Sequence, residues 1–252
     1  MEKRILITND DGVRAEGLLA LEASLAALGR VITVAPESEQ SATSHAITLD
    51  HPLRIKEYAP DRYSVSGTPT DCVLLAVHGI LDSVPDLVVS GINHGPNMGE
   101  DVGYSGTVAA AIEGRILGID AMAVSLTDWD PGSFQAAGEI TRYLASRMLE
   151  RARAQKFLWN INIPSLPAAE IKGLRITKLG SRIYNDTIVR KIDPRGKDYF
   201  WIGGGEPGWS SDDNSDFAAV STGFVSITPL KLDMTDYNNM IELKEWNLAW
   251  AP

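Results

Sequence analysis

The sequence contains one cysteine, Cys72, and only four histidines. A single thiol excludes a disulfide framework and any cysteine-cluster metal site. Cys72 lies in the apolar run Asp71-Cys-Val-Leu-Leu-Ala-Val77 and reads as a reduced core thiol, not a nucleophile. His45, His51, His78 and His94 lack the spacing of a zinc site and read as structural; His94 alone adjoins a candidate ligand. Positive charge is also scarce: 23 Lys and Arg against 33 Asp and Glu leave a net −10. No diffuse basic surface is left to hold duplex nucleic acid or anionic lipid, so neither is expected as a stable partner. No apolar run has the length of a membrane span, and the opening Met1-Glu-Lys-Arg-Ile-Leu-Ile-Thr8 is too short in apolar residues for a signal peptide. A cytoplasmic location is the expectation.

What is present is an ordinary globular balance: 252 residues, 44% hydrophobic and 22% charged, enough for one sizeable core. Ile5–Thr8 reads as a short buried strand, Gly17–Leu28 as a helix and Val31–Ala35 as a second strand stopped by Pro36, a βαβ unit whose crossover should be right-handed. Leu53–Tyr58 and Arg62–Ser66 look like half-buried strands around a Pro60-Asp61 turn. Thr68-Pro69 then supplies the cap and first-turn proline of a helix through Leu81. Asp86–Ser90 is another buried strand, followed by a Gly- and Asn-rich loop from Gly91, an alanine-rich helix opening at Tyr104-Ser-Gly-Thr107, a strand at Ala121–Ser125 and a long helix over Phe134–Gln155. Past residue 156 the texture becomes strand-like, at Phe157–Ile163, Leu174–Lys178, Thr187–Ile192, Asp198–Ile202 and Phe224–Thr228. The expected fold is a Rossmann-like three-layer αβα core over residues 1–156 with a mostly parallel sheet. A β-rich portion over 157–252 completes that core and carries an extended hairpin.

In open α/β sheets, ligands bind beyond the carboxyl ends of the strands. Those ends carry Asp10 and Asp11 after the first strand, Ser41 beyond the second, and Asn93 and Asn97 beyond a third. Such a hard, all-oxygen set suits Mg²⁺, Mn²⁺ or Ca²⁺. The Asn9-Asp10-Asp11-Gly12 stretch also has the composition of a plain turn with a helix cap, but its place at the end of a βαβ strand favours the metal reading. Glycines at 91, 95, 99, 103 and 106 let backbone approach a ligand closely. Ser105-Gly106-Thr107 stands where the amides of a helix N-terminus hold a phosphate, or where Ser105 merely caps that helix. Asp212-Asp213 reads as solvated turn chemistry, and Gly203-Gly204-Gly205 as a loop or hinge.

These residues resemble a known family. Ile5-Leu-Ile-Thr-Asn-Asp-Asp-Gly12, Ala35-Pro36 followed by Gln40-Ser41, Gly67-Thr-Pro-Thr-Asp-Cys-Val73, Ser90-Gly-Ile-Asn93 with Gly95-Pro-Asn-Met-Gly99, Tyr104-Ser-Gly-Thr107 and Val225-Ser-Ile-Thr-Pro-Leu230 are similar to the motifs of the SurE (survival protein E) nucleotidases. The resemblance implies a metal-dependent phosphatase of nucleoside 5′- and 3′-monophosphates, with short polyphosphate as a further substrate of some members. It implies one divalent ion, Mg²⁺ or Mn²⁺, with Ca²⁺ admissible in crystals. Asp10, Asp11, Ser41 and Asn93 match the metal ligands, and Asn97, Ser105, Gly106 and Thr107 the phosphate contacts. The residue after Ser41 is Ala42, where the family more often has glycine.

The expected reaction is phosphomonoester hydrolysis, with charge at phosphorus stabilised by the metal, Asn97 and the Ser105–Thr107 amides. The nucleophile is a water oriented by an aspartate, Asp11 as general base, or Asp10 itself as a covalent nucleophile. The rival is a non-catalytic, receiver-like module binding a nucleotide or divalent ion. A receiver needs an aspartate ending its third strand and a lysine ending its fifth, where this chain offers Asn93 and Thr127. A dinucleotide enzyme is disfavoured, since no G-x-G-x-x-G follows the first strand. Trp246, Leu248 and Trp250 near the end would form an exposed apolar patch in a monomer. With the hairpin at Thr187–Ile192 and Asp198–Ile202, and the family's exchanged C-terminal segments, they point to a homodimer or a tetramer.

Overall fold

Successive side chains of a strand point to opposite faces, and in β1 (Arg4–Thr8) Ile5, Leu6 and Ile7 are all fully buried. A strand that is apolar on both faces has to be covered by helices on both. The computed structural model has that arrangement; it describes residues 2–129, 132–151, 155–183, 188–202, 208–210 and 212–250. β1 is followed by α1 (Glu16–Leu25), β2 (Arg30–Pro36), the hairpin of β3 (Ile55–Ala59) and β4 (Arg62–Val65), and α2 (Pro69–Leu75). Next come β5 (Leu87–His94), α3 (Gly106–Ile116), β6 (Asp120–Leu126), α4 (Gln135–Leu149) and β7 (Leu158–Ile163). The remainder holds β8 (Leu174–Ile176), β9 (Arg182–Ile183), β10 (Ile188–Ile192), β11 (Asp198–Ile202), β12 (Gly208–Trp209), α5 (Asp216–Ser221), β13 (Val225–Pro229) and α6 (Tyr237–Glu245).

Nine strands form one sheet in the order β3-β4-β2-β1-β5-β6-β7-β13-β8. From β4 through β7 all neighbours are parallel; β3 is antiparallel to β4, and β13 to β7. Ile5 and Ile7 pack with Leu18 and Leu21 of α1 and with Leu144 and Met148 of α4. Leu6 packs on the other face with Val73 of α2 and Val108 and Ala110 of α3. The result is the expected three-layer αβα fold. After β1 the chain moves to β2 and β4, then returns to β5 on the other side of β1, so the carboxyl ends of β1 and β5 form the topological switch point.

The crossovers do not all share one hand. β1–α1–β2 and β6–α4–β7 travel in opposite directions along the sheet with both helices on the same face, so their hands are opposite. The connections through α2 and α3, which lie on the other face and move toward β7, share the hand of the first. Three connections follow the usual rule and that through α4 departs from it. Its effect is local to the switch point: α4 starts beside α1, and Phe134, just ahead of it, packs on the His94 ring at 4.9 Å.

Several boundaries differ from the sequence reading. β5 runs on through His94, with a register irregularity between Ser90 and Asn93, because Asn93 still pairs with Ser125 of β6. Asn93 is thus set by the sheet and not by a loop. α2 widens into a π-turn over Ala76–Ile80, and α4 stops at Leu149 instead of Gln155. Two helices were not anticipated. α5 is short, and α6, between β13 and Trp246, buries no residue, so no core-facing stripe announces it. Gly203-Gly204-Gly205 and Thr187 lie outside the described residues. β10 and β11 pair from Ile188–Ile202 to Ile192–Asp198 as a separate ribbon with Phe200 and Trp201 exposed, as are Trp246, Leu248 and Trp250.

The contact between α1 and β5 has no spare room: a Cβ on Gly17 would lie 2.0 Å from the Ile92 carbonyl oxygen. Gly17→Ala is expected to lower stability by roughly 2–3 kcal/mol, about 4–10 °C in Tm for a chain of this size. Gly79→Ala, where a Cβ meets nothing within 4 Å, should change Tm little or raise it. Thermal unfolding of the two variants measures the difference.

Candidate active site

β1 ends at Thr8 and the chain turns on Asn9. Its Nδ2 donates to the Gly12 carbonyl at 3.0 Å and its Oδ1 accepts the Gly12 N–H at 3.2 Å. This Asx-closed turn presents Asp10 and Asp11 beyond the sheet. Asp10 is buried against the start of α3, where a Cβ on Gly106 would stand 2.9 Å from that of Asp10. The Thr107 hydroxyl donates to Asp10 Oδ1 and lies 3.1 Å from Asn93 Oδ1. Asn93 Nδ2 donates to the carbonyls of His94 and Gly95 at 3.1 and 2.9 Å, which turns its oxygen toward Thr107. Two carboxylates and an amide oxygen are thereby gathered at the switch point.

Ser41 reaches the same place from β2. The Gln40 N–H donates to the Asp10 carbonyl at 2.7 Å, and the Ser41 hydroxyl donates to Glu39 Oε1 at 2.7 Å. Asn97 comes from the segment after β5 and is held on three sides. Its Nδ2 donates to Ser125 Oγ at 2.8 Å, its backbone N–H to Asn162 Oδ1 at 2.9 Å, and its carbonyl accepts from Asn160 and Asn162 at 2.8 and 2.9 Å. A cavity of about 1160 Å³ is lined by Asp10, Asp11, Ser41, Asn93, Asn97 and Ser105. Gly106 and Thr107 sit behind Asp10, both buried. Ser105 faces the cavity and also caps α3, its Oγ accepting the Val108 N–H at 3.1 Å, so its reading as the helix cap holds.

The electrostatics follow from burial. Desolvation raises the Asp10 carboxyl above its ordinary range, opposed by the Thr107 hydroxyl and backbone amide at the positive end of α3. Asp11 is raised to about 6, first by burial and then by the charge of Asp10, with His94 acting the other way. Asp11 Oδ2 is buried with no hydrogen-bond partner among the described residues. A polar oxygen left so is costly unless something outside the chain satisfies it. The donor chemistry fits a hard divalent cation. Among the described residues no group of three or more His, Cys, Asp and Glu is arranged to hold a metal, so the set rests on two carboxylates completed by amide and hydroxyl oxygens. A set of so few charges suits an ion that keeps several waters.

Five contributors went unassigned in the sequence. Glu39 lines the cavity and raises both aspartates, and nothing in its polar surroundings distinguished it. His94 faces Asp11; its place next to Asn93 was the available signal. Asn160 and Asn162 alternate with apolar residues in Trp159–Ile163, a period-2 pattern that puts both amides on one face. Asp216, fully buried, accepts the N–H groups of Gly99 and Gly180 at 2.9 and 2.8 Å, a long-range contact that no local pattern announces. Asp212 is a turn residue paired with Lys178, as its surroundings suggested.

The sequence model of the family described as Survival protein SurE matches residues 5–186. The 5′-nucleotidase SurE of Geotalea uraniireducens is 49% identical over 98% of this chain and 100% of its own length. That of Geobacter sulfurreducens is 48% identical over 97% of this chain and 94% of its own. The crystal structure of the SurE protein from Aquifex aeolicus superposes with a TM-score of 0.88 at 41% identity, covering 97% of this chain and 99% of that one.

Because folding raises Asp11 from 3.8 to about 6, this group favours the folded state most below pH about 4, and that contribution is lost as the pH rises through about 6. Asp11→Asn is therefore expected to stabilise the protein at pH 7 in the presence of chelator, by roughly 1 kcal/mol once screening on its open side is allowed for, and so to raise Tm. The variant should also lose the part of the pH dependence of Tm that falls between pH 4 and 6. Thermal melts of both proteins across that range provide the comparison.

Proposed function

Because the chain belongs to the survival protein SurE family and its switch point gathers oxygen donors around two carboxylates, we propose that it is a divalent-metal-dependent phosphomonoesterase. Its substrates are nucleoside 5′-monophosphates, and on the family resemblance nucleoside 3′-monophosphates and short polyphosphate as well. The observation that carries this reading is the apposition of Asp10 to the N-terminus of α3, with Asp11 and Asn93 on the same cavity. Asp10, Asp11, Asn93 and Ser41 hold Mg²⁺ or Mn²⁺. When bound, the cation supplies Lewis-acid stabilisation of negative charge on the phosphoryl oxygens.

The chain's own groups do the rest. The Ser105 hydroxyl and the Asn97 side chain bind phosphoryl oxygens at the mouth of α3, whose dipole favours an anion. Gly106 and Thr107 act from behind: one admits the helix to Asp10, the other locks Asp10 and Asn93 in register. Asp11 takes the proton of an attacking water. Because Asn97 is clamped through its backbone, it is oriented before substrate arrives. A protein of net charge −10 repels a phosphate dianion at long range, so binding leans on these local devices.

We further propose a homodimer, or a tetramer built from it, held by the ribbon of β10 and β11 and by the tail. The exposure of Ile188, Phe200, Trp201, Trp246, Leu248 and Trp250 supports this, since large apolar patches left to water mark interfaces. The working compartment is the cytoplasm, consistent with one buried thiol. Among the described residues no helix is long and apolar enough to cross a membrane.

The decisive experiment is phosphate release from a panel of nucleoside monophosphates with added Mg²⁺ or Mn²⁺ and with chelator. Release abolished by chelator and restored by the ion is expected. Asp10→Asn should lower kcat by roughly two to three orders of magnitude, and activity within about threefold of the parent at saturating ion would overturn the metal assignment. Truncation after Asn238 should shift the sedimenting species toward monomer, and a fully dimeric truncated protein at low micromolar concentration would locate the interface elsewhere.

A further inference from the structure

The part of the cavity wall contributed by the C-terminal portion has no role in the reaction described above. It carries Trp209 of β12 and, from α5, Phe217, Val220 and Ser221. Positions 217, 220 and 221 fall on one helical face, and α5 turns that face to the cavity, while the neighbouring Asp216 is buried in the fold. The Trp209 and Phe217 rings stack at 4.7 Å between centroids with 18° between planes, and both are half-buried. Two stacked rings in the wall of the cavity have little to offer a phosphate. They offer a flat, polarisable surface to a planar heterocycle.

The wall is fixed in place relative to the carboxylates. Asp216 accepts N–H groups from Gly99 and Gly180 and from its own neighbour Phe217 at 2.8 Å. Gly99 opens the segment that leads directly into Ser105 and α3. A Cβ on Gly99 would come within 2.9 Å of the Trp209 ring, so the indole edge rests on that segment. Arg182, on β9 and paired with β12, is joined to Asp101 of the same segment at 2.6 and 2.8 Å. Three independent ties thus connect the aromatic wall to the strand of chain that sets the phosphate end.

We propose that Trp209, backed by Phe217, is the platform on which the nucleobase of the substrate stacks, and that it sets the preference for nucleotides over other phosphomonoesters. The proposal rests on the phosphomonoesterase reading of the same cavity. Stacking tolerates any base because every base has a π-face, and it favours the larger purines. The free energy acts at a distance from phosphorus, on binding and not on the chemical step, so it appears in KM.

The test compares adenosine 5′-monophosphate with ribose 5-phosphate, which has the sugar and phosphate but no base, on the parent protein and on Trp209→Ala, Trp209→Phe and Phe217→Leu. Trp209→Ala should raise KM for the nucleotide by at least about fivefold, leave kcat within twofold, and leave both constants for ribose 5-phosphate within twofold. Trp209→Phe should recover most of the loss, which a merely structural role of the indole would not predict selectively for one substrate. Phe217→Leu should give a smaller loss of the same kind and serves if Trp209→Ala does not fold. Calorimetric titration with adenosine, which has no phosphate, reads the platform independently of turnover. If the parent hydrolyses neither phosphomonoester, the proposed reaction fails, while adenosine binding that is lost in Trp209→Ala still upholds the platform. Equal losses on both substrates, no loss on the nucleotide, or a loss that appears instead in Trp129→Ala, a second tryptophan lining the cavity, would overturn it.

Discussion

The site depends on one close approach: the N-terminus of α3 resting directly on the Asp10 carboxylate. Burying a carboxylate is costly, and here the cost is offset by the Thr107 hydroxyl and amide and by the end of a helix dipole. The approach is possible only because residue 106 has no Cβ. From it follow the orientation of Asn93, which shares the Thr107 hydroxyl, and, added to the effect of burial, the raised pKa of Asp11 beside a carboxylate already in place. Two acids held side by side in this way repel one another, which adds to the cost of burying them.

Around that contact the fold builds a frame of buried polar groups. Asn160 and Asn162 bind the backbone of Asn97, and Asp216 binds the backbone of Gly99. Buried hydrogen bonds of this kind rigidify a site, because each member loses its partner if the geometry slips. Both sets of groups come from residues beyond 156, so the segment between β5 and α3 is shaped from the C-terminal side. The opposite-handed connection through α4 adds a third support, bringing Phe134 against His94 next to Asp11.

Much of this was legible in the chain. Apolar β-branched runs that end in polar loops announced β1, β2, β5 and β6, because a strand covered on both faces has no alternative composition. Asp10, Asp11, Ser41, Asn93 and Asn97 were readable as one set because the switch-point rule brings strand ends together whatever lies between them. Less accessible were features without local periodicity. α5 is too short for a pattern, α6 buries nothing, and β5 continues past Gly91 only because Asn93 finds a partner in Ser125.

By itself, then, the sequence determined the layered architecture, the mostly parallel sheet and the polar residues at the strand ends, since each is written in short stretches of the chain. The tertiary structure alone decided that Thr107 turns inward to Asp10 while Ser105 faces the cavity, because helix phase and packing assign those directions. It also decided the hand of the α4 crossover, which depends on the face on which a helix settles, and the partnership of Asp216 with Gly99 across 117 residues of chain. Hydrogen bonds to backbone leave no mark on the identity of the residue that provides it, so contacts of this kind become visible only when the chain is folded.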